Sequence, residues 1–154
     1  MPTQRESPYG AFNFIVEWKN GKEATVWGGF SDVSGLGVDI SYSEYRNGNE
    51  MSNTSRKVPN THKNDDITLK RGLVGQTDLF EWLKTVRDGF IAEEDGGKRN
   101  VTITLHDEAR RPVAVFTLLN AQPKKWSGPT LTAKGGGEVA MEELHLVHEG
   151  IEYK

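Results

Sequence analysis

Cysteine is absent from all 154 residues. That excludes a disulfide framework, a thiolate nucleophile and any zinc site built on sulfur. Long apolar runs are missing too. Apolar residues make up 35% of the chain, the mean hydropathy is −0.61, and no stretch approaches the roughly 18 apolar residues that a membrane helix needs. The opening segment, Met1 to Pro8, is polar and carries Glu6, so it lacks the apolar centre of a secretory signal. The expectation is a soluble chain made and folded in the cytoplasm, with no membrane anchor. Strong charge of one sign is also lacking. The net charge is −3, and the basic pairs Arg56-Lys57, Lys70-Arg71, Lys98-Arg99, Arg110-Arg111 and Lys124-Lys125 are scattered. A nucleic-acid binder concentrates such residues on one face with interleaved aromatics, so no specific nucleic-acid binding is expected. The length suits one domain spanning 1–154, and no internal repeat is visible.

What the chain has is alternation. From Tyr9 to Trp18, Phe12, Phe14, Val16 and Trp18 share one face, with Asn13 and Glu17 on the other. Asn20-Gly21 is a tight hairpin signal. A return strand is expected from about Glu23 to Phe30, interrupted by a bulge or close backbone approach at Gly28-Gly29. After the turn Ser34-Gly35-Leu36-Gly37, a third strand places Val38, Ile40 and Tyr42 opposite Asp39, Ser41 and Ser43. The pattern then vanishes from about Arg46 to Asn64, where Met51 and Val58 show no period. An irregular stretch of that length in a compact domain is uncommon and usually functional or disordered. It reads as an extended loop or hairpin at 46–64 ordered by a partner.

Asp66 to Lys70 alternates again. A helix follows at about 77–88, capped by Thr77 or Asp78, with Leu79, Leu83, Val86 and Phe90 along one stripe and Gly89 as its stop. Ala92 to Lys98 reads as an acidic loop. Val101, Ile103 and Leu105 form a strand, and Val113 to Leu119 is apolar on both faces, which requires cover on both. The last part reads as a hairpin through Gly135-Gly136-Gly137. There Val139 and Met141 are odd-numbered, whereas Leu144 and Leu146 are even, so a bulge is expected near Glu142-Glu143. The sum is a mainly β fold, an antiparallel sandwich or barrel of about eight strands with one helix.

Reactive constellations do not emerge. His145 and His148 are three apart on a strand and so point to opposite faces, which disfavours shared metal ligation. His106-Asp107 has no nucleophile elbow beside it. Gly35-x-Gly37 lacks the third glycine of a dinucleotide loop, and Gly72-x-x-Gly75 lacks the Gly-Lys-Ser/Thr of a phosphate loop. Glu93-Glu94-Asp95 does not have calcium-loop spacing. Trp126 beside Lys124-Lys125 reads as a packing residue for a loop or an interface. No catalytic, metal or cofactor site is expected, which leaves an enzyme on a small β-scaffold without a centre.

Several ordered blocks carry a resemblance instead. They are Phe12-Asn13-Phe14, Phe30-Ser31-Asp32-Val33-Ser34-Gly35-Leu36, Glu44-Tyr45-Arg46-Asn47-Gly48 and Ile67-Thr68-Leu69-Lys70-Arg71-Gly72. Trp82 in the helix follows, then Asn120-Ala121-x-Pro123, Gly128-Pro129 and Val147-His148-Glu149-Gly150. Together they resemble the inner tube proteins of contractile injection systems and the contractile phage tail tube family. Val58-Pro59-Asn60-Thr61 stands where the family often has Leu-Pro-Gly, and Phe116 where a tryptophan commonly precedes the Asn-Ala block.

The resemblance implies a phage tail tube-like fold and a structural, non-enzymatic subunit. It implies hexameric rings stacked into a hollow tube, driven through a target envelope by sheath contraction. Its implied partners are further copies of itself, a contractile sheath protein, baseplate or tube-initiator and cap proteins, and protein cargo or a tape-measure protein in the lumen. No cofactor is implied. Glu44, Tyr45, Arg46, Lys57, Lys70, Arg71, Lys124 and Trp126 are the implied contacts between subunits or rings. A tail tube of a contractile-tailed phage and a type VI secretion tube-like ring are the related alternatives. The finished particle would be extracellular, cell-anchored or a phage.

Overall fold

Two sheets share one strand. The computed structural model describes residues 6–11, 13–20, 23–27, 29–46, 48, 55–73, 75, 77–88, 97–135 and 138–154, with backbone alone at 19–20 and 23–27. Among them ten strands and one helix follow in order. These are β1 (Phe14–Asn20), β2 (Glu23–Trp27), β3 (Phe30–Ser34), β4 (Val38–Tyr45), β5 (Arg56–Asn64) and β6 (Ile67–Gly72). After them come α1 (Asp78–Asp88), β7 (Arg99–His106), β8 (Pro112–Ser127), β9 (Met141–Val147) and β10 (Gly150–Tyr153). The expectations at Phe12, Gly21, Gly28, Met51, Gly89, Phe90, Glu93 to Asp95, Gly136 and Gly137 lie outside the described residues.

The main sheet runs β2-β1-β7-β8-β9-β6-β3, with β10 also paired to β8. Every pairing is antiparallel. The terminal strands β2 and β3 do not pair with each other, so the fold is sandwich-like and not a closed barrel. The first part of β8 pairs with β7 and β10, and from Gln122 onward it pairs with β9. At the crossing Asn120 adopts φ 50°, a left-handed conformation that asparagine tolerates better than most residues.

The core lies where the alternation puts it. Val16 and Trp18 from β1, Ile67 and Leu69 from β6, and Leu144 and Leu146 from β9 are buried. From α1, Leu79 and Trp82 complete the core, while Leu83 of the expected stripe is only half-buried. Trp82 stacks obliquely on Trp18 with ring centroids 5.2 Å apart and donates its indole N–H to the Gly97 carbonyl at 2.8 Å. Arg99 covers its ring at 4.9 Å. Helix α1 packs on β8, whereas Phe116 stacks at 4.9 Å on Tyr153, its cross-strand partner on β10 in the same sheet. The expected cover on both faces is thus only partly provided, and Val115 and Phe116 stay half-buried.

Three expectations are corrected. First, residues 56–64 are not a loop: they take the hairpin alternative, β5 pairing with β4 on either side of one register shift between Ile40 and Tyr42. The ribbon packs neither face into its own protomer, so no apolar alternation is imposed on it. Second, β9 has no bulge at Glu142-Glu143, and its ladder with β6 is continuous from Ile67↔Leu146 to Gly72↔Met141. Glu142 simply takes the inward position, and the bulge sits on β8 between Pro123 and Lys125. Third, residues 128–135 and 138–140 form no strand, so the expected first strand of a hairpin before β9 is absent.

Candidate functional site

The ribbon β4–β5 is the feature least accounted for by the protomer alone. All eight residues of β4 are exposed, including Val38 at 46%, Ile40 at 52% and Tyr42 at 57%. Opposed residues of an antiparallel pair share a face. The register Val38↔Asn64, Ile40↔His62, Tyr42↔Pro59 and Glu44↔Lys57 therefore collects Val38, Ile40, Tyr42 and Pro59 on one side, closed by an acid–base pair. The other side carries Asp39↔Lys63, Ser43↔Val58 and Tyr45↔Arg56. An isolated two-stranded ribbon is marginal in water. Burying each large apolar side chain is worth about 1.5–3 kcal/mol, and here that stabilisation is left unused.

The base of the ribbon is fixed tightly. Gly35 has φ +90°, and a Cβ there would fall 2.0 Å from the Asp66 carbonyl oxygen. Gly37 accepts the Asp65 N–H at 3.1 Å. The His148 ring lies between two carbonyls, with Nε2 3.0 Å from that of Asp65 and Nδ1 3.0 Å from that of Gly150. The turn between β9 and β10 thus holds the end of β5. Asn120 and Glu149 fasten the same level of the fold: Asn120 Nδ2 donates to Glu149 Oε2 at 2.7 Å, and Lys98 Nζ to Oε1 at 3.1 Å. These bonds, Asn120 first, hold the Glu149 carboxyl below its ordinary pKa. The motif blocks around Asn120 and His148 are therefore one junction.

At the opposite end of β6 lies a buried ion cluster. Arg71 is 3% exposed and Glu142 2%. The Arg71 Nε donates to Glu142 Oε1 at 2.5 Å, and its other nitrogens reach the Asp78 carboxylate at the start of α1. Burial opposes the charge on Arg71, yet the bonds to Asp78 and Glu142 prevail and its pKa is raised. Trp126 donates its indole N–H to Glu142 Oε2 at 3.2 Å and meets Phe80 edge-on at 5.3 Å. A Cβ on Gly128 would fall 3.1 Å from the Trp126 ring, so Gly128-Pro129 carries the chain close over that indole. Thr77 accepts the first helical N–H, from Glu81, at 2.8 Å, which makes it the cap residue and leaves Asp78 free to bind Arg71.

The eight expected contact residues fall into two groups. Glu44, Tyr45, Arg46 and Lys57 come together at the outer end of the ribbon. On the body, Lys70 pairs with Glu143 at 3.4 Å and Lys124 with Asp66 at 2.9 Å, both exposed. The Lys124 hydrogen bond lowers the Asp66 pKa. Arg71 is committed inside the protomer, and Trp126 is half-buried beside it. Sequence reasoning missed Asp78 and Glu142. The parity of Glu142 with Leu144 and Leu146 was the available signal. His145 contacts Thr68 and Glu143, so it and His148 have separate partners. Among the described residues no group of three or more His, Asp or Glu side chains is arranged to hold a metal ion. Among them, too, no helix is long and apolar enough to cross a membrane.

This arrangement, a two-part antiparallel sheet with one helix and a projecting ribbon, is the fold of the tube-forming proteins. Hcp1 from Flavobacterium johnsoniae shares it at a TM-score of 0.51 and 11% identity, with 90% of this chain and 94% of that one covered. The likeness is far greater to a chain of the anti-feeding prophage baseplate, at a TM-score of 0.79 and 23% identity over 97% of each. A chain of the PVC extracellular contractile injection system, in its extended sheath-tube complex, matches at 0.77 and 27% identity. That match covers 97% of this chain and 93% of the other. Residues 10–152 match the family described as T4-like virus tail tube protein gp19, and the chain belongs to that family. No protein with a curated description matches it.

Proposed function

We propose that the chain is the subunit of the inner tube of a phage-tail-like contractile injection system. Six copies form a ring, rings stack into a hollow tube, and a contracting sheath drives the tube through a target envelope. The observation that carries this reading is the ribbon, an apolar face that its own protomer leaves in water, in a chain belonging to a tail tube family. Sheet edges at β2 and β3 that are unpaired among the described residues add to it, because exposed edges invite pairing with another chain. A head-to-tail contact of that kind closes into a ring when its rotation allows.

The residues at the ribbon's outer end, Glu44, Tyr45, Arg46 and Lys57, together with the exposed Lys70 and Lys124, make the contacts between copies. Sheath, baseplate and cap proteins are the further partners, supported by the assemblies in which similar chains occur. The lumen carries protein cargo or a tape-measure protein, and its wall bears part of the chain's net negative charge, so that anionic cargo slides without sticking. A lumen mapped as basic in an assembled tube would refute that last point. The work of such a subunit is mechanical and requires no catalytic centre. Synthesis and assembly take place in the cytoplasm, before release or anchoring of the particle.

A contractile phage tail tube is the second reading, favoured by the family's own description. Negative-stain microscopy of the purified protein tests the shared part: rings or tubes are expected, and a single-copy species at every concentration overturns it. Sheath and baseplate genes beside this one, with or without capsid genes, separate the two readings.

A further inference from the structure

The His148 ring meets oxygen at both of its nitrogens, and neither oxygen can donate. Nε2 lies 3.0 Å from the Asp65 carbonyl, between β5 and β6, and Nδ1 lies 3.0 Å from the Gly150 carbonyl, at the start of β10. A backbone carbonyl only accepts, whereas a neutral imidazole carries one N–H and one lone pair. With the ring neutral, one contact would set a nitrogen lone pair against a carbonyl oxygen. The imidazolium, with two N–H groups, satisfies both. Turning the ring over would bring carbon atoms to the same carbonyls and serve neither.

The two anchored places are far apart in the chain. Asp65 and His148 are separated by 83 positions, and their bond ties the end of the ribbon to the turn between β9 and β10. Main-chain bonds flank it on each side. The Asp65 N–H donates to the Gly37 carbonyl at 3.1 Å, and the Glu149 N–H to the Leu119 carbonyl at 2.9 Å. We propose that His148 is a proton-operated latch at the ribbon's base. With two protons the ring holds Asp65 and Gly150 at once; with one proton lost, one of the two bonds opens and the base loosens. The closed latch uses the second proton and the open one does not, so it tightens as pH falls through the ring's titration. The inference concerns the protomer and stands apart from the tube reading.

The charged side chains around the latch are engaged elsewhere. Between β5 and β6, the Asp65 carboxylate turns toward Gly37, its Oδ2 2.6 Å from where a Cβ there would stand. Asp66 is taken by Lys124 at 2.9 Å. In the turn after β9, Glu149 is held by Asn120 and by Lys98. On β5, Lys63 stands opposite Asp39 and His62 opposite Ile40. On β9, His145 contacts Thr68 and Glu143. The carboxylates are ionised throughout the range in which a histidine changes charge, so the histidines are the groups that switch there.

Two readouts on the full chain test the latch between about pH 5 and 9. Nitrogen NMR of protein labelled at histidine, in solution or in the solid state once assembled, counts the protons on the His148 ring. Amide hydrogen exchange, corrected for the intrinsic rate at each pH, reads Asp65 and Glu149 on either side of it. As the ring passes from two protons to one, the protection of these two amides is expected to fall about tenfold or more, the worth of one charge-assisted hydrogen bond. The amides of Val115 and Lys154, bonded to each other's carbonyls away from the ribbon, serve as the reference and should not follow. His148→Gln should abolish the pH dependence, and His145→Gln should keep it. A ring with a single proton while both amides keep full protection overturns the proposal, as does the same pH dependence in His148→Gln. Should His148→Gln fail to fold, the ring and amide signals of the unmodified chain decide alone.

Discussion

Arg71 and Glu142 stand directly opposite each other in the β6–β9 ladder, and their charged groups meet at 2.5 Å inside the core. With Asp78 and Trp126 they tie two strands, the start of the helix and the end of β8 to one point. Removing Arg71 leaves the Glu142 carboxylate buried without its cation, which typically costs about 3–5 kcal/mol. Arg71→Met is therefore expected to lower the urea midpoint severely. The double variant Arg71→Met with Glu142→Leu is expected to recover most of the loss, since buried ion pairs often exchange for apolar residues at little cost. Equal destabilisation by the single and double variants would count against this account.

Acid should weaken the protomer in a defined window. Asp66, Asp107 and Glu149 all have pKa values lowered in the fold. For Asp107 the main cause is the Arg111 backbone N–H, aided by that of Ala109 and by the Arg111 side chain, which together close the turn before β8. Carboxyls in the unfolded chain titrate near about 3.9 for Asp and 4.3 for Glu. Below those values the unfolded state binds protons that the folded state refuses, so stability falls as pH drops through the folded values. Urea midpoints measured from pH 7 to pH 3 are expected to hold steady and then decline below about pH 4. Asp107→Asn should flatten the decline; an unchanged acid limb in that variant would contradict the assignment.

Much of the fold was legible because burial writes a period into the sequence. Val16 and Trp18, Ile67 and Leu69, and Leu144 and Leu146 alternate as their strands require, and the helix falls at Asp78–Asp88 where its cap and stripe put it. The ribbon defeated the same reasoning in two ways. Val38, Ile40 and Tyr42 alternate as if buried, although in the protomer nothing covers them. Strand β5 has no alternation because its side chains answer to no core of their own. Glu142 defeated it differently: a charged residue at a core position broke the apolar pattern and mimicked a bulge. Of the expected contact residues, Glu44, Tyr45, Arg46 and Lys57 lie together at the ribbon's outer end, a grouping that the sequence did not display. The commitment of Arg71 to Asp78 and Glu142 depends on residues far apart in the chain.

Two glycines with similar backbone angles should respond differently to alanine. At Gly29, φ is +87° and no described residue comes within 4 Å of the missing Cβ, so the backbone penalty of about 1–2 kcal/mol is the one expected. At Gly35 the same penalty is joined by a clash with the Asp66 carbonyl, which is main chain and unable to swing away. Thermal melts should rank Gly35→Ala well below Gly29→Ala. Equal melting temperatures would mean that the ribbon's base is not seated as described.

Substitutions on the ribbon should separate stability from assembly. Tyr42→Ser removes an exposed side chain and is expected to change protomer stability by less than about 0.5 kcal/mol, while sedimentation shows fewer and smaller assemblies. Deleting the middle of Arg46 to Asn64 should leave soluble subunits that do not polymerise. Normal tubes from the deletion variant would sink the ribbon's assigned role.

Strand β8 gives the protomer a mechanical character. It is one unbroken backbone of 16 residues, bonded to β7 and β10 along one part and to β9 along the next. A force pulling one sheet past the other therefore has no loop to stretch at the join. It runs along covalent chain and loads the flanking hydrogen bonds in shear, many at once, instead of unzipping them one after another. A wall made of such units yields as a block, which suits a rod that must keep its bore while being pushed from behind.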